Sequence, residues 1–182
     1  MERDFSFARS VKEFVKFLLI ASAIALPIRY FIAQPFIVKG ASMVPTFENQ
    51  EYLVIDELSY FLREPERGEV IVFRYPLDTR QFFIKRIIGL PGETVEIGDG
   101  KVKISSADGK DGQILDESYI SKELRTDGNV KVTLGKEDYF VLGDNRSQSS
   151  DSRIWGVLPR SLITGRALIR AWPVSRAGIV AE

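Results

Sequence analysis

Residues 94–104, TVEIGDGKVKI, decide the fold class because they encode a β-hairpin. Apolar and polar side chains alternate on both sides of a Gly98-Asp99-Gly100 turn, and a period of two is the pattern of a half-buried strand. A Gly-Asp-Gly turn between two such runs is a strong hairpin signal. The stretch therefore predicts two antiparallel strands joined by a tight turn.

Short runs rich in Val, Ile, Phe and Tyr recur outward from this hairpin, separated by turn residues such as Pro91-Gly92. Because no segment after residue 33 is long enough for a crossover helix, we expect a mostly β domain of antiparallel sheets. A short helical turn is expected at 58–63, and the polar residues 105–128 are expected to form a small β insertion. The predicted strands are 36–38, 52–55, 70–75, 82–88, 94–97, 101–104, 130–134, 139–142 and 166–172.

The composition restricts the chemistry that the chain can perform. Its 182 residues, 45% of them apolar, suit one domain with a core. Lys plus Arg and Asp plus Glu both number 25, so no net positive charge favours nucleic acid. The absence of His and Cys excludes Ser-His-Asp and Cys-His triads and the usual zinc sites. A hydrolase with this composition needs another base, and a Ser-Lys dyad is one solution.

The N-terminal region contains an apolar run that predicts a membrane anchor. Residues 14–33 form, as one helix, a segment of about 30 Å, the hydrocarbon thickness of a bilayer. Four cations precede or open the run, at Arg3, Arg9, Lys12 and Lys16, which favours the N-terminus inside. We therefore expect a cytoplasmic segment 1–13, a transmembrane helix 14–33 and an extracytoplasmic domain 34–182.

Two other interpretations of this run remain open. A cleavable signal peptide would use the small-x-small motifs at 21–23 or 23–25, although both lie inside the apolar run rather than after it. The run could also be a buried core helix, which its positively charged lead disfavours.

Ser42 and Lys85 are the candidate nucleophile and base. Ser42 lies between Gly40 and Pro45, a context that can expose a serine on a stiff turn. Lys85 shares a strand face with Phe83 and Ile87, where loss of hydration disfavours the charged amine. Taken alone, each segment favours the ordinary interpretation: a surface serine for Ser42, and for Lys85 a lysine whose amine reaches water.

A polar loop at 143–153 follows the strand 139–142. Its short side chains favour a built turn, and Asp144, Arg146, Asp151 and Arg153 could form ion pairs. Ile154-Trp155-Gly156 follows at once, which suggests that apolar contacts pin the loop.

Taken in order, four stretches resemble the type I signal peptidases of bacteria, in the short form with one anchor. They are Gly40-Ala41-Ser42-Met43-Val44-Pro45-Thr46, residues 63–70 (REPERGEV), residues 84–93 (IKRIIGLPGE), and Gly143-Asp144-Asn145-Arg146 with Ser149, Asp151, Ser152 and Arg153.

The resemblance implies a role for each site residue. Ser42 would be the nucleophile and Lys85 the general base, with Ser149 orienting the lysine amine. Asp151 with Arg153, and Asp144 with Arg86, would be supporting ion pairs. Met43 would pack at the floor of the site. The pockets for small substrate side chains would be lined by Phe36, Val38, Met43, Phe47, Phe83 and Ile84. Gly40 stands where some members have serine, so the oxyanion would rely on backbone N–H groups, chiefly that of Ser42.

The implied function is removal of signal peptides from exported preproteins, with small residues before the cut and without metal or cofactor. Implied surroundings are the bacterial cytoplasmic membrane, with the catalytic domain on its outer side, and nearby export machinery. Two other classes stay open: a membrane-tethered β domain that only binds partners, and a self-cleaving Ser-Lys protein.

Overall fold

The computed structural model describes residues 2–27, 34–106, 108, 112–121 and 124–180. The helices in this part of the chain are α1 (Glu2–Pro27), α2 (Ser59–Leu62) and α3 (Ser152–Trp155), with 3-10 turns at Arg146–Gln148, Arg160–Leu162 and Val174–Arg176. The strands are β1 (Gln34–Ile37), β2 (Tyr52–Asp56), β3 (Val70–Tyr75), β4 (Asp78–Gly89), β5 (Glu93–Gly98), β6 (Lys101–Ser106), β7 (Gln113–Ile114), β8 (Val130–Thr133), β9 (Asp138–Leu142), β10 (Leu158–Pro159), β11 (Ile163–Trp172) and β12 (Gly178–Ile179).

These strands form two antiparallel sheets. The larger sheet has the order β1-β2-β11-β3-β4-β9-β10, with β12 added to β11, and the smaller has the order β7-β6-β5-β8. The prediction of a mostly β, antiparallel domain is therefore confirmed. Every predicted strand is present, and α2 occupies the predicted helical turn.

The hairpin that opened the argument joins β5 to β6. Gly98 pairs with Lys101, which leaves Asp99 and Gly100 as the two turn residues. Both have positive φ, at 53° and 77°, as a tight hairpin turn between twisted strands requires. The polar stretch that follows contributes β7, which pairs with β6; residues 107, 109–111 and 122–123 lie outside the described part.

The central strand β4 changes neighbours along its length. It pairs with β3 from Asp78 to Arg86, but β9 begins to pair with its other edge only at Arg86. The edge around residues 82–85 is therefore not covered by β9. The turn after β1 comes close to β4 at this edge, as the contact between Ser42 and Lys85 shows.

A buried cluster fixes that turn to the large sheet. Met43 and Phe47 are fully buried and pack with side chains of β2, β3 and β11. Because two large apolar side chains of this short turn are buried, the turn is fixed to the sheet, unlike a surface loop. The members of the cluster are Val38, Met43, Phe47, Leu53, Ile55, Val70, Val72 and Ala167.

In the described part of the chain, no helix is both long and apolar enough to cross a membrane. The last six residues of the predicted 14–33 span, 28–33, lie outside the described residues.

Candidate active site

Ser42 and Lys85 meet at the uncovered edge of β4. The Lys85 amine donates hydrogen bonds to Ser42 Oγ at 2.9 Å and to the carbonyl oxygen of Ile84 at 2.8 Å. The lysine side chain is only 3% exposed. Desolvation lowers the Lys85 pKa to about 8, and the negative charges of Asp151 and Asp144 oppose part of that fall. Near pH 8, therefore, part of the amine population is neutral.

Hydrogen bonds to Asn49 and Asn145 hold the turn that carries Ser42 from both sides. Gly40, at φ +88°, donates its N–H to the Asn49 side chain at 3.0 Å. The carbonyl of Ser42 accepts the Asn145 N–H at 3.0 Å, and the Asn145 amide donates to the carbonyl of Ala41 at 3.1 Å. The turn after β1 and the loop at 143–153 thus form one unit around the serine.

Gly143 occupies the tightest point of that unit. A Cβ atom there would lie 2.2 Å from Ser149 Oγ and 2.5 Å from the carbonyl oxygen of Ser42, so only glycine fits. Ser149 Oγ is buried and has no hydrogen-bond partner among the described residues. Lys85 is held by Ser42 and Ile84, and its expected hydrogen bond to Ser149 is not formed.

Asp151 and Arg153 form an ion pair behind the loop. Arg153 donates to both Asp151 oxygens, at 2.8 and 2.9 Å. The same carboxylate accepts the N–H of Gly143 at 3.1 Å and caps α3 through the Arg153 N–H. Asp151 therefore ties the loop backbone to the helix that follows it.

Arg86 and Asp144 form a second pair, which is almost completely buried. Arg86 donates to the two carboxylate oxygens at 2.9 and 2.7 Å and to the carbonyl of Gly68 at 2.7 Å. Thr46 donates to the same carboxylate, and the Tyr119 ring centroid lies 4.0 Å from the guanidinium carbon. A bidentate pair with every charged group satisfied is the arrangement that makes a buried ion pair tolerable.

A cleft of about 610 Å³ opens beside Ser42 and Lys85. Four of the predicted lining residues do line it: Phe36, Val38, Phe83 and Ile84. Met43 and Phe47 instead lie in the core, fully buried and outside the cleft wall, because they anchor the turn. Lining residues that sequence reasoning missed are Ile37, Lys39, Leu53, Val72, Arg80, Gln81, Phe82 and Ser150.

Two further residues of the site region have partners that the sequence argument did not predict. Thr46 joins the Arg86 pair, although it lay inside a quoted motif. Arg146 is buried and donates to Glu117, Thr126 and the carbonyl of Gly143, so it ties the insertion to the active-site loop. Its burial has no local sequence signal, because its partners lie 20 and 29 residues away.

The described residues include no group of three or more His, Cys, Asp or Glu side chains that could hold a metal ion. The Ser42 N–H has no acceptor in the part of the chain that the structure describes. Together with a serine hydroxyl 2.9 Å from a buried amine, this arrangement is suited to nucleophilic attack on a carbonyl.

Comparisons with known proteins agree on one family. Residues 11–172 match the family described as signal peptidase, peptidase S26. The chain is 41% identical to a probable signal peptidase I-2 of Synechocystis, over 93% of this chain and 77% of that protein. It is 40% identical to a signal peptidase I of Leptolyngbya laminosa, over 91% and 82%. A solved signal peptidase I from Enterococcus faecalis is 32% identical, covers 57% of this chain and 97% of its own, and superposes with a TM-score of 0.48.

Proposed function

The chain belongs to the signal peptidase family, peptidase S26, and on that premise we propose that Ser42 and Lys85 form its catalytic dyad. It is a serine endopeptidase of the type that acts on the signal peptides of preproteins. The observation that supports the dyad most strongly is the 2.9 Å separation of Ser42 Oγ and the buried Lys85 amine. That distance is within the reach required for direct proton transfer.

In the proposed reaction, neutral Lys85 takes the hydroxyl proton while Ser42 Oγ attacks the carbonyl before the cut. The Ser42 N–H stabilises the oxyanion that develops on that carbonyl. Protonated Lys85 then returns its proton to the leaving amine, which departs as the N-terminus of the mature protein. Lys85 next takes a proton from a water molecule whose oxygen attacks the acyl carbonyl. As the bond from that carbonyl to Ser42 Oγ breaks, protonated Lys85 returns the proton to Ser42 Oγ and the signal peptide leaves with a free carboxylate.

The remaining site residues act through this pair. Asp151 with Arg153, and Asp144 with Arg86, hold the loop and the strand that carry the two reacting groups. The hydroxyl of Ser149, which has no hydrogen-bond partner among the described residues, orients the lysine amine when the substrate is bound. None of these roles involves a metal or a cofactor.

The cleft accounts for a preference for small residues before the cut. Phe36, Val38, Phe83 and Ile84 leave shallow apolar pockets for the substrate residues one and three before the scissile bond, with Met43 and Phe47 packed beneath them. The residue between would point away from the floor, since alternate side chains of an extended peptide face opposite ways.

The anchor completes the proposal. Residues 14–33 would span the bacterial cytoplasmic membrane, with residues 1–13 inside and residues 34–182 outside, near the export machinery. The large apolar side chains of Phe14, Phe17 and Leu19 are more than half exposed on α1, as lipid-facing positions would be. The shared bilayer would raise the effective concentration of membrane-inserted preproteins.

Separate substitution of the two dyad residues tests the function. Purified Ser42→Ala and Lys85→Ala variants should retain the fold and lose preprotein processing. Near-normal cleavage by either variant would contradict the dyad, and a protein that only binds partners would tolerate both changes.

A protease experiment tests the proposed topology. Protease added to intact spheroplasts should digest the domain 34–182. If the domain were fully protected until the cells were lysed, the proposed orientation would be refuted.

A further inference from the structure

One wall of the cleft is an aromatic ring beside the Lys85 amine. Phe83 lines the cleft two residues before Lys85 on the same face of β4, and the Lys85 amine lies 5.4 Å from its ring centroid. Since that amine contacts Ser42 Oγ, Phe83 borders the pocket that would take the substrate residue directly before the cut.

Aromatic residues outside the cleft hold this ring in place. Tyr75 stacks on Phe83 with the centroids 4.4 Å apart and the planes at 7°. Phe73, the register partner of Phe83 on β3, meets it edge-on at 6.3 Å. The ring of Phe83 thus has a parallel ring against one face and a second ring at a steep angle beside it.

Trp155 contacts two of the three rings in the stack formed by Phe83, Tyr75 and Phe73. Its ring meets Tyr75 at 6.0 Å and 80° and Phe73 at 5.9 Å and 48°. Trp155 is the last residue of α3, whose N-cap is Asp151. The stack is therefore attached to the same loop that contacts Ser42.

We propose that Tyr75 and Trp155 are positioning residues that hold Phe83 as a fixed wall and so set the largest side chain accepted before the cut. This inference rests on the proposed function, because it assigns the specificity of the same site. A pocket excludes a larger substrate side chain only if the residue that forms its wall cannot change rotamer. Without its stacking partner, the Phe83 side chain can adopt another rotamer and enlarge the pocket. Neither Tyr75 nor Trp155 lines the cleft, so neither needs to touch the substrate.

The test compares peptide substrates that carry Ala, Val or Leu before the cut, cleaved by the purified full-length enzyme. Because one extra or missing methylene in an apolar pocket changes kcat/KM by about 10-fold to 200-fold, Tyr75→Ala should raise kcat/KM for the Leu peptide relative to the Ala peptide by about tenfold or more. Tyr75→Phe keeps a ring for stacking and should keep the wild-type ratio. Trp155→Phe should move the ratio in the same direction as Tyr75→Ala, by a smaller factor.

A second readout separates positioning from simple loss of stability. Freeing Phe83 admits water to Lys85, which should move the rise of kcat/KM to higher pH in Tyr75→Ala. Asp151 and Asp144, whose charges act on Lys85, are unchanged in that variant. The control Val102→Ala truncates a buried side chain of the smaller sheet; it should lower stability and leave both the ratio and the pH profile as they were.

An unchanged Leu to Ala ratio in folded Tyr75→Ala would overturn the inference, as would an equal loss on all three peptides. If Tyr75→Ala does not fold, an unchanged ratio in Trp155→Phe overturns it instead. Failure of the proposed function gives a different result: wild-type cleavage of the Ala peptide would survive in Ser42→Ala.

Discussion

Lys85 and Arg86 are consecutive residues of β4 with 3% and 1% of their surfaces exposed. Arg86 is in contact with a carboxylate, whereas the hydrogen-bond partners of Lys85 are uncharged. Arg86 faces Asp144, with two hydrogen bonds to its carboxylate and others to Gly68 and Thr46. Lys85, on the opposite face, has a hydroxyl and a carbonyl as its hydrogen-bond partners.

The difference lies in the partner and not in the depth of burial. A carboxylate in contact compensates the desolvation of Arg86, so that cation is structural. Carboxylates that act on Lys85 only from a distance compensate little, so desolvation prevails and its pKa falls to about 8. One strand thereby carries a permanent cation and a base that can be neutral.

Replacing the lysine by the other cation type should have the largest effect on activity. Lys85→Arg places a guanidinium beside Ser42 Oγ, and a guanidinium cannot act as a base. We expect kcat/KM to fall by about 10²–10⁴-fold, the usual contribution of a positioned general base. Lys85→Met, which keeps the aliphatic stem, should show the same loss, and thermal unfolding of both variants would separate it from misfolding.

Arg86→Lys is the reciprocal change. An ammonium cannot reproduce the bidentate contact with Asp144, so the loss should appear in the free energy of unfolding, by about 1–3 kcal/mol. Processing should persist at temperatures where the variant is folded. Loss of activity in a fully stable Arg86→Lys protein would assign Arg86 a direct part in the reaction and contradict the comparison.

Removing the anion should cost more stability than changing the cation. Asp144→Ala leaves the Arg86 charge buried and unpaired, and breaking a buried pair in this way costs about 3–5 kcal/mol. Denaturant titration measures the change, and Asp78→Ala, which breaks an exposed pair with Arg80, is the matched control. Similar small losses in the two variants would show that Asp144 does not stabilise Arg86.

The smallest expected effect is electrostatic. Asp151 raises the Lys85 pKa through its charge, so Asp151→Asn should lower that pKa and move the rise of kcat/KM to lower pH, by less than about one pH unit. The uncompensated charge of Arg153 acts in the same direction. A shift to higher pH would show that Asp151 influences Lys85 through structure rather than charge.

The sequence predicts the fold well where side chains alternate over four or more residues. The 94–104 hairpin follows from its period-two pattern, and the other seven predicted strands follow from short runs rich in Val, Ile, Phe and Tyr between turn residues. The strands β7, β10 and β12 have two residues each, too few for any period to appear. The polar start of β4 at 78–81 resembles a turn in the sequence, yet β4 begins at Asp78, which pairs with Tyr75 of β3.

The site is predictable in its parts and not in its packing. Composition removes His and Cys, and motif order then indicates Ser42 and Lys85. Met43 and Phe47 occur in a turn without periodicity, so nothing local indicates that they face the core instead of the cleft. The contact of Arg146 with Glu117 joins residues 29 apart, a separation that only the tertiary fold closes.

The pH dependence of kcat/KM on a soluble peptide tests the central claim most directly, because it reports the ionisation of groups in the free enzyme that the reaction requires. Lys85 must lose its proton to accept one from Ser42, so the rate should rise with pH and level off above an apparent pKa of about 8. The fold must be checked by circular dichroism at each pH. A flat profile from about pH 6 to 10, or a rise only near the ordinary lysine value of about 10.4, would contradict a desolvated Lys85 as the general base.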